Sequence, residues 1–157
     1  MGAFRDLRMG LRAIRSPKDL VVFGVLSVHK RIHVASGGRI GKRIGGRDAL
    51  LLHTTGRRSG LRRTTTLTYA KDGDRFLVVA SKGGSDTHPD WFLNLVAEPG
   101  VEVHAEGRDF QAVARSLEGD EYDEGFRIAD SVGRRVYSEY QSRTDRKIPV
   151  IEIVEEA

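Results

Sequence analysis

An α+β domain built around an antiparallel sheet or barrel is the architecture the sequence predicts, and three observations predict it. From Ala49 onward, short runs rich in β-branched and aromatic residues are separated by turn residues, with few helical stretches between them. Asp72-Gly73 and Glu106-Gly107 each stand between two such runs, which is a hairpin signature; a parallel sheet would need a long crossover after each strand. A length of 157 residues suits one domain, and 39% hydrophobic with 31% charged residues argues against a disordered chain.

The elements follow in order. Phe4, Leu7, Leu11 and Ile14 recur at helical spacing beside Arg5, Arg8, Arg12 and Arg15, and Pro17 stops this basic amphipathic helix. Asp19 reads as the N-cap of a second helix running to about His33. Residues 1–35 are thus expected to form a basic helical arm and residues 36–157 the sheet domain, joined through the glycine-rich stretch Ser36 to Gly46. Leu50-Leu51-Leu52 begins the strands as a buried run, and Thr64 to Ala70 follows the turn Gly56–Gly60. Phe76 to Ala80 returns after Asp72-Gly73, and Pro89 is expected at the first position of a helix carrying Trp91 and Leu93-Asn94-Leu95. Val101 to Ala105 pairs with Phe110 to Leu117, Glu118 to Gln141 reads as one or two amphipathic helices, and Ile148 to Val154 is the last strand.

Charge and composition narrow the function. The net charge of +4 is uneven, because Met1 to Arg47 holds eleven Lys and Arg against two Asp. This basic arm lacks interleaved aromatic residues or a recognisable motif, so nucleic acid is not an expected partner. Either it rests on the inner face of an anionic cell membrane as a peripheral contact, or it packs on the sheet domain or at a dimer interface. No signal peptide is evident, and the apolar run Leu20 to Leu26 is far shorter than the ~20 residues of a membrane span, so a cytoplasmic location is expected. The absence of cysteine excludes disulfides, thiolate zinc sites and thiol nucleophiles. His29 and His33 are spaced like a metal pair but sit in a basic helix without an acidic partner, so no metal is expected. Both monomer and homodimer remain open.

The richest chemistry lies in Thr55 to Arg63. Gly56 and Gly60 permit a tight turn with exposed amides, while Arg57, Arg58, Arg62 and Arg63 add guanidinium forks suited to phosphate or carboxylate. Ser59 and Thr64 offer hydroxyls; the other reading is a solvated basic hairpin turn. The spacing is not that of a Walker loop, and no GxSxG nucleophile elbow occurs. A second loop, Ser81-Lys82-Gly83-Gly84 to His88-Pro89, ends a strand and enters a helix, where amides and Lys82 can face a polar ring or phosphate. Its glycines also fit a simple connection, and Trp91 also fits a packing anchor. Tyr137 and Tyr140 share a helix face, with either core packing or hydrogen bonding to a substrate open to them.

Taken together, these blocks resemble one family. Leu50-Leu51-Leu52-His53-Thr54-Thr55-Gly56-Arg57-Arg58-Ser59-Gly60 with Arg63-Thr64-Thr65, then Val79-Ala80-Ser81-Lys82-Gly83-Gly84, His88-Pro89-Asp90-Trp91-Phe92-Leu93-Asn94-Leu95 and the ending Tyr140 to Val150 are similar to the deazaflavin-dependent nitroreductases of actinobacteria. The resemblance runs from about Ser36 to Val154. It implies a split β-barrel that binds reduced coenzyme F420, an 8-hydroxy-5-deazaflavin with a phosphate and a polyglutamate tail, in preference to flavin mononucleotide. It further implies that Arg57, Arg58, Ser59, Gly60, Arg63, Thr64 and Thr65 hold phosphate and tail. Ser81, Lys82, Gly83 and Gly84 would lie along the ring, with His88, Pro89 and Trp91 around it. Tyr140, helped by Tyr137 or Ser81, would polarise the acceptor or relay a proton. Thr66 stands where the family often has Pro, and Arg134 where it often has a further tyrosine. The implied activity is hydride transfer to a small-molecule acceptor: a quinone, a nitro compound or an activated enone. The alternative is a protein that binds or sequesters F420 or flavin without turnover.

Overall fold

The computed structural model describes residues 43–157. The helical arm, the boundary expected at residue 36 and the His29/His33 pair fall outside the described residues. Eight strands follow in chain order: β1 (Arg43–Ile44), β2 (Arg47–Thr55), β3 (Arg62–Thr68), β4 (Ala70–Asp72), β5 (Arg75–Val79), β6 (Gly100–Ala105), β7 (Arg108–Ser116) and β8 (Val150–Glu155). Three α-helices accompany them: α1 (Asp90–Ala97), α2 (Gly119–Val132) and α3 (Val136–Gln141). Every pairing is antiparallel, in the order β1-β2-β6-β7-β8-β5-β4, with β3 also on β2. The expected antiparallel architecture is what the chain adopts.

Thr64 to Ala70 is two strands rather than one. Thr68 closes β3 opposite Ala49 of β2, whereas Ala70 opens β4 opposite Leu77 of β5. Tyr69 between them donates its backbone N–H to the Asp48 carbonyl at 3.2 Å. A single residue therefore carries the chain from one edge of the curled sheet to the other and closes the split barrel. Side-chain alternation continues across the break: Thr68 reaches Tyr137 outside, Tyr69 packs on the interior cluster, and Ala70 joins the exterior one. That unbroken alternation is why the sequence reads as one strand.

Two apolar clusters follow from this alternation. Inside the barrel, Leu50, Leu52, Phe76, Val78, Val103, Phe110, Ile151 and Ile153 pack together, and Trp91, Phe92 and Leu95 of α1 plug the end where β2 and β5 finish. Outside, Leu77, Val79 and Val150 on the opposite strand faces are covered by Tyr122 and Ala129 of α2 and Tyr137 of α3. The helical stretch after Glu118 breaks at Gly133-Arg134-Arg135, where both arginines adopt positive φ. The buried Asp130 carboxylate then accepts from the amides of Tyr137 (2.9 Å) and Ser138 (3.0 Å) and from the Ser138 hydroxyl, satisfying the start of α3. Pro89 sits one residue before α1 as its cap rather than as its first residue, with extended ψ of 149°.

Candidate functional site

The turn after β2 and the loop after β5 emerge at the same end of the barrel, with α1 between them. Arg57 fastens the first of these to α1. Its amide and guanidinium both donate to Asn94 Oδ1 (3.2 and 3.1 Å), and the guanidinium pairs with Asp90 at 3.1 Å. Asn94 is itself buried and donates to Thr54 Oγ1 at 3.3 Å. The turn amides are consumed internally: Gly56 N–H goes to Leu61 O, while Ser59 and Gly60 N–H both go to Gly56 O. The amides of Gly56, Arg57, Ser59 and Gly60 are thus engaged within the protein, and the side chains of the turn are its outward-facing donors.

Among those side chains, Arg62 pairs with Glu102 at 2.7 Å, and Arg63 donates weakly to Ser59 Oγ at 3.4 Å. Arg58 is exposed and makes no side-chain hydrogen bond or ion pair among the described residues. Gly60 lies open, with nothing within 4 Å of a hypothetical Cβ. Arg63, Thr64 and Thr65 do not share a face. Thr64 turns outward to His53 Nδ1 at 2.8 Å, while Leu67, two residues beyond Thr65, packs on the interior cluster. Burial, followed by the Arg62 charge, holds His53 below the ordinary histidine value.

The second loop is tightly folded. Lys82, Gly83 and Gly84 are all left-handed, with φ of 46°, 67° and 80°. Lys82 is not a glycine, and such a residue persists in that region only where its surroundings fix it. Its ammonium turns back to Thr87 Oγ1 (2.9 Å) and the His88 carbonyl (3.4 Å). A Cβ on Gly84 would lie 2.6 Å from the Tyr140 carbonyl and 3.0 Å from Arg143 Cβ, whereas one on Gly83 would meet nothing. Ser81 and Pro89 are buried, and Trp91 is part of the barrel plug. His88 packs on Phe92 with centroids 4.8 Å apart; burial, then Arg146 and Lys82, lower its pKa.

Tyr137 and Tyr140 lie together, their rings 6.5 Å apart, but differ in access. Tyr137 is buried, with its hydroxyl 2.9 Å from Thr68 Oγ1 and its pKa raised, chiefly by burial. Tyr140 is half-buried, with the Arg143 guanidinium 5.3 Å from its ring centroid. A cavity of about 220 Å³ lined by Asp48, Tyr69, His104 and Glu106 opens at the other end of the barrel, away from both loops. There burial, Glu106 and Asp48 push the Tyr69 phenol up to about 12.

Comparison with known proteins decides what this geometry belongs to. Residues 26–156 match the family model described as F420H(2)-dependent quinone reductase. The chain belongs to that family. It is 43% identical over 130 residues to an F420H(2)-dependent quinone reductase of Mycobacterium tuberculosis, an alignment covering 81% of this chain and 87% of that one. A solved F420-H2-dependent reductase is 37% identical with a TM-score of 0.62, covering 67% of this chain and 92% of that structure. A solved chain described as a domain-swapped dimer is 33% identical with a TM-score of 0.64, covering 88% and 99%. The resemblance to deazaflavin-dependent enzymes, the split barrel and the cofactor class are therefore correct, and the F420H(2)-dependent quinone reductase family makes this chain an oxidoreductase.

The residues at the two-loop end fit the family's cofactor. Arg58 and Arg63 are guanidinium groups at the surface, suited to phosphate and carboxylates, and Gly83 has nothing within 4 Å of a hypothetical Cβ, leaving that side of the backbone uncovered. Residues that the sequence reading passed over also organise this end. Gln141 donates to the carbonyls of Thr144 (3.2 Å) and Arg146 (2.9 Å) and accepts from the Ile148 amide (2.9 Å). Arg146 reaches into the second loop. Asn94, a polar residue within the apolar run Trp91 to Val96, was the one with a visible signal.

Proposed function

We propose that this chain oxidises F420H2 with a quinone as acceptor, at the barrel end where the two loops meet. The observation that carries this is the pairing of surface-facing Arg58 and Arg63 with a backbone ledge at Gly83 at the same end, within a family that uses this cofactor. Arg58 and Arg63 hold the phosphate and polyglutamate tail, with Ser59, Gly60 and Thr65 beside them. Ser81 to Gly84 face the ring, while His88, Pro89 and Trp91 shape its surroundings from behind. Arg57 contributes by holding the turn against α1 rather than by meeting the tail. When bound, the reduced deazaflavin supplies the hydride. The chain orients that ring, excludes water with the Trp91–Phe92–Leu95 plug, and offers the Tyr140 hydroxyl to the acceptor oxygen as a hydrogen-bond donor. Tyr137, with its hydroxyl engaged by Thr68, supports the Tyr140 ring.

The deciding experiment follows F420H2 oxidation by a soluble naphthoquinone, a nitroimidazole and an activated enone, for the wild type and Tyr140→Phe. Turnover of the quinone, reduced roughly tenfold or more by the substitution, is the expected result. Tight binding of F420 without oxidation by any acceptor would instead make the protein a cofactor-sequestering one. Contact of the basic arm with an anionic membrane is a separate part of the proposal, read by liposome sedimentation with and without residues 1–15. Among the described residues no helix is long and apolar enough to cross a membrane.

A further inference from the structure

Arg146 precedes β8 and sends its guanidinium into the loop after β5, where it meets four acceptors. Nε donates to the Ser85 carbonyl at 2.7 Å, one terminal nitrogen donates to the carbonyls of Ala80 (3.1 Å) and Ser81 (2.9 Å), and the other lies 3.3 Å from His88 Nδ1. No carboxylate forms a salt bridge with it among the described residues. An arginine has only donors, so His88 Nδ1 must present its lone pair and the imidazole must be neutral with its proton on Nε2. The carbonyls of Ala80 and Ser85 flank the left-handed Lys82-Gly83-Gly84 turn, so one planar fork ties its two ends together.

Two neighbouring contacts reinforce the same closure. Thr144 Oγ1 donates to Asp86 at 2.9 Å, and Gly84 is seated against the Tyr140 carbonyl. The segment that carries Tyr140 and the loop proposed to face the ring are thereby locked into one unit, with Arg146 as its most connected member. A left-handed Lys82 is disfavoured relative to an ordinary backbone conformation. Fixing both ends of the turn is what such a residue requires.

We propose that Arg146 is a positioning residue for the bound deazaflavin: without touching the ring, it holds Ser81–Gly84 and one tautomer of His88 in the arrangement that the ring meets. This rests on the reading of Ser81–Gly84 as ring-facing. A lysine at 146 supplies charge but not a planar fork, and so cannot satisfy acceptors spread from Ala80 to His88 at once.

Arg146→Lys and Arg146→Met are compared with the wild type at pH 7.5 by three measurements. These are the Kd for oxidised F420 by fluorescence titration, the position of the bound ring's absorbance band, and hydrogen exchange of peptides covering residues 80–88 in the protein without ligand. The expected result is a roughly tenfold or greater weakening of F420 binding in Arg146→Lys, the equivalent of one lost charge-assisted hydrogen bond. It comes with a bound-ring band moved toward that of free F420 and faster exchange over 80–88. The Met variant shows the same changes more strongly, and if it does not melt cooperatively the Lys variant decides. Wild-type Kd and band position in a cooperatively melting Arg146→Lys would overturn the proposal. Failure of the wild type itself to bind F420 would overturn the reading of the site beneath it, a result visible before either variant is measured.

Discussion

At the scale of single residues, the arginines of the turn after β2 divide by what they already touch. Arg57 is engaged by Asp90 and Asn94 and Arg62 by Glu102, whereas Arg58 and Arg63 face solvent. Substitution of Arg58 and Arg63 together by Ala is expected to weaken binding of polyglutamylated F420 by roughly three- to tenfold, the worth of two exposed ion pairs. A ring-only deazaflavin should bind these variants as it binds the wild type. Arg57→Ala should instead lower thermal stability, since it removes the guanidinium bridge between the buried Asn94 oxygen and Asp90 while the residue-57 amide still donates to Asn94, at a cost of about 1 kcal/mol. Titrations with the two ligands and a thermal melt check both statements; equal weakening for the two ligands would defeat the tail assignment. The sequence displayed four cations around two glycines but could not tell which were already neutralised. That depends on Asp90, Asn94 and Glu102, more than thirty residues away in the chain.

Among elements, the loop after β5 and the end of α3 act as one piece. Gly84→Ala places a methyl group 2.6 Å from the Tyr140 carbonyl at a φ of 80°, and overpacking with left-handed strain together cost about 2–4 kcal/mol. Gly83→Ala adds its methyl to open space, so its cost is backbone strain alone, about 1 kcal/mol. The expected contrast is a strongly lowered melting temperature for Gly84→Ala and a fall of only a few degrees for Gly83→Ala, with F420 affinity falling in both. Retained affinity in Gly83→Ala would show that the ring does not approach there. Hairpin strands and their turn residues were legible because turn chemistry and two-residue alternation are local. The break at Tyr69 was not, since alternation passes through it unchanged. Nor was the division between α2 and α3, because it depends on Asp130 meeting amides seven and eight residues on.

At the scale of the whole molecule, His53 and His88 are both held below the ordinary histidine value by burial first, then by neighbouring cations. The folded chain thus binds fewer protons than the unfolded one between those depressed values and about 6.5. Stability is full above about 6.5 and is lost as pH falls through the folded values. Glu121, Glu124 and Glu155, held low through hydrogen bonds from Arg115, Arg127 and Arg108, add stability that is full above about 4.3 and is lost only as pH falls below it. The melting temperature should fall between pH 7 and pH 5.5, and by less in the double variant His53→Gln/His88→Gln; an equal fall would refute the assignment. One further consequence lies in the sheet order. The last strand, β8, is central, joining β7 on one side to β5 on the other. Until Val150–Glu155 is in place, β5 and β7 each present an unpaired edge, so the barrel can close only when β8 joins. The folding chain is therefore most exposed to edge-to-edge aggregation before β8 joins, and a chaperone that shields strand edges would help it most at that stage.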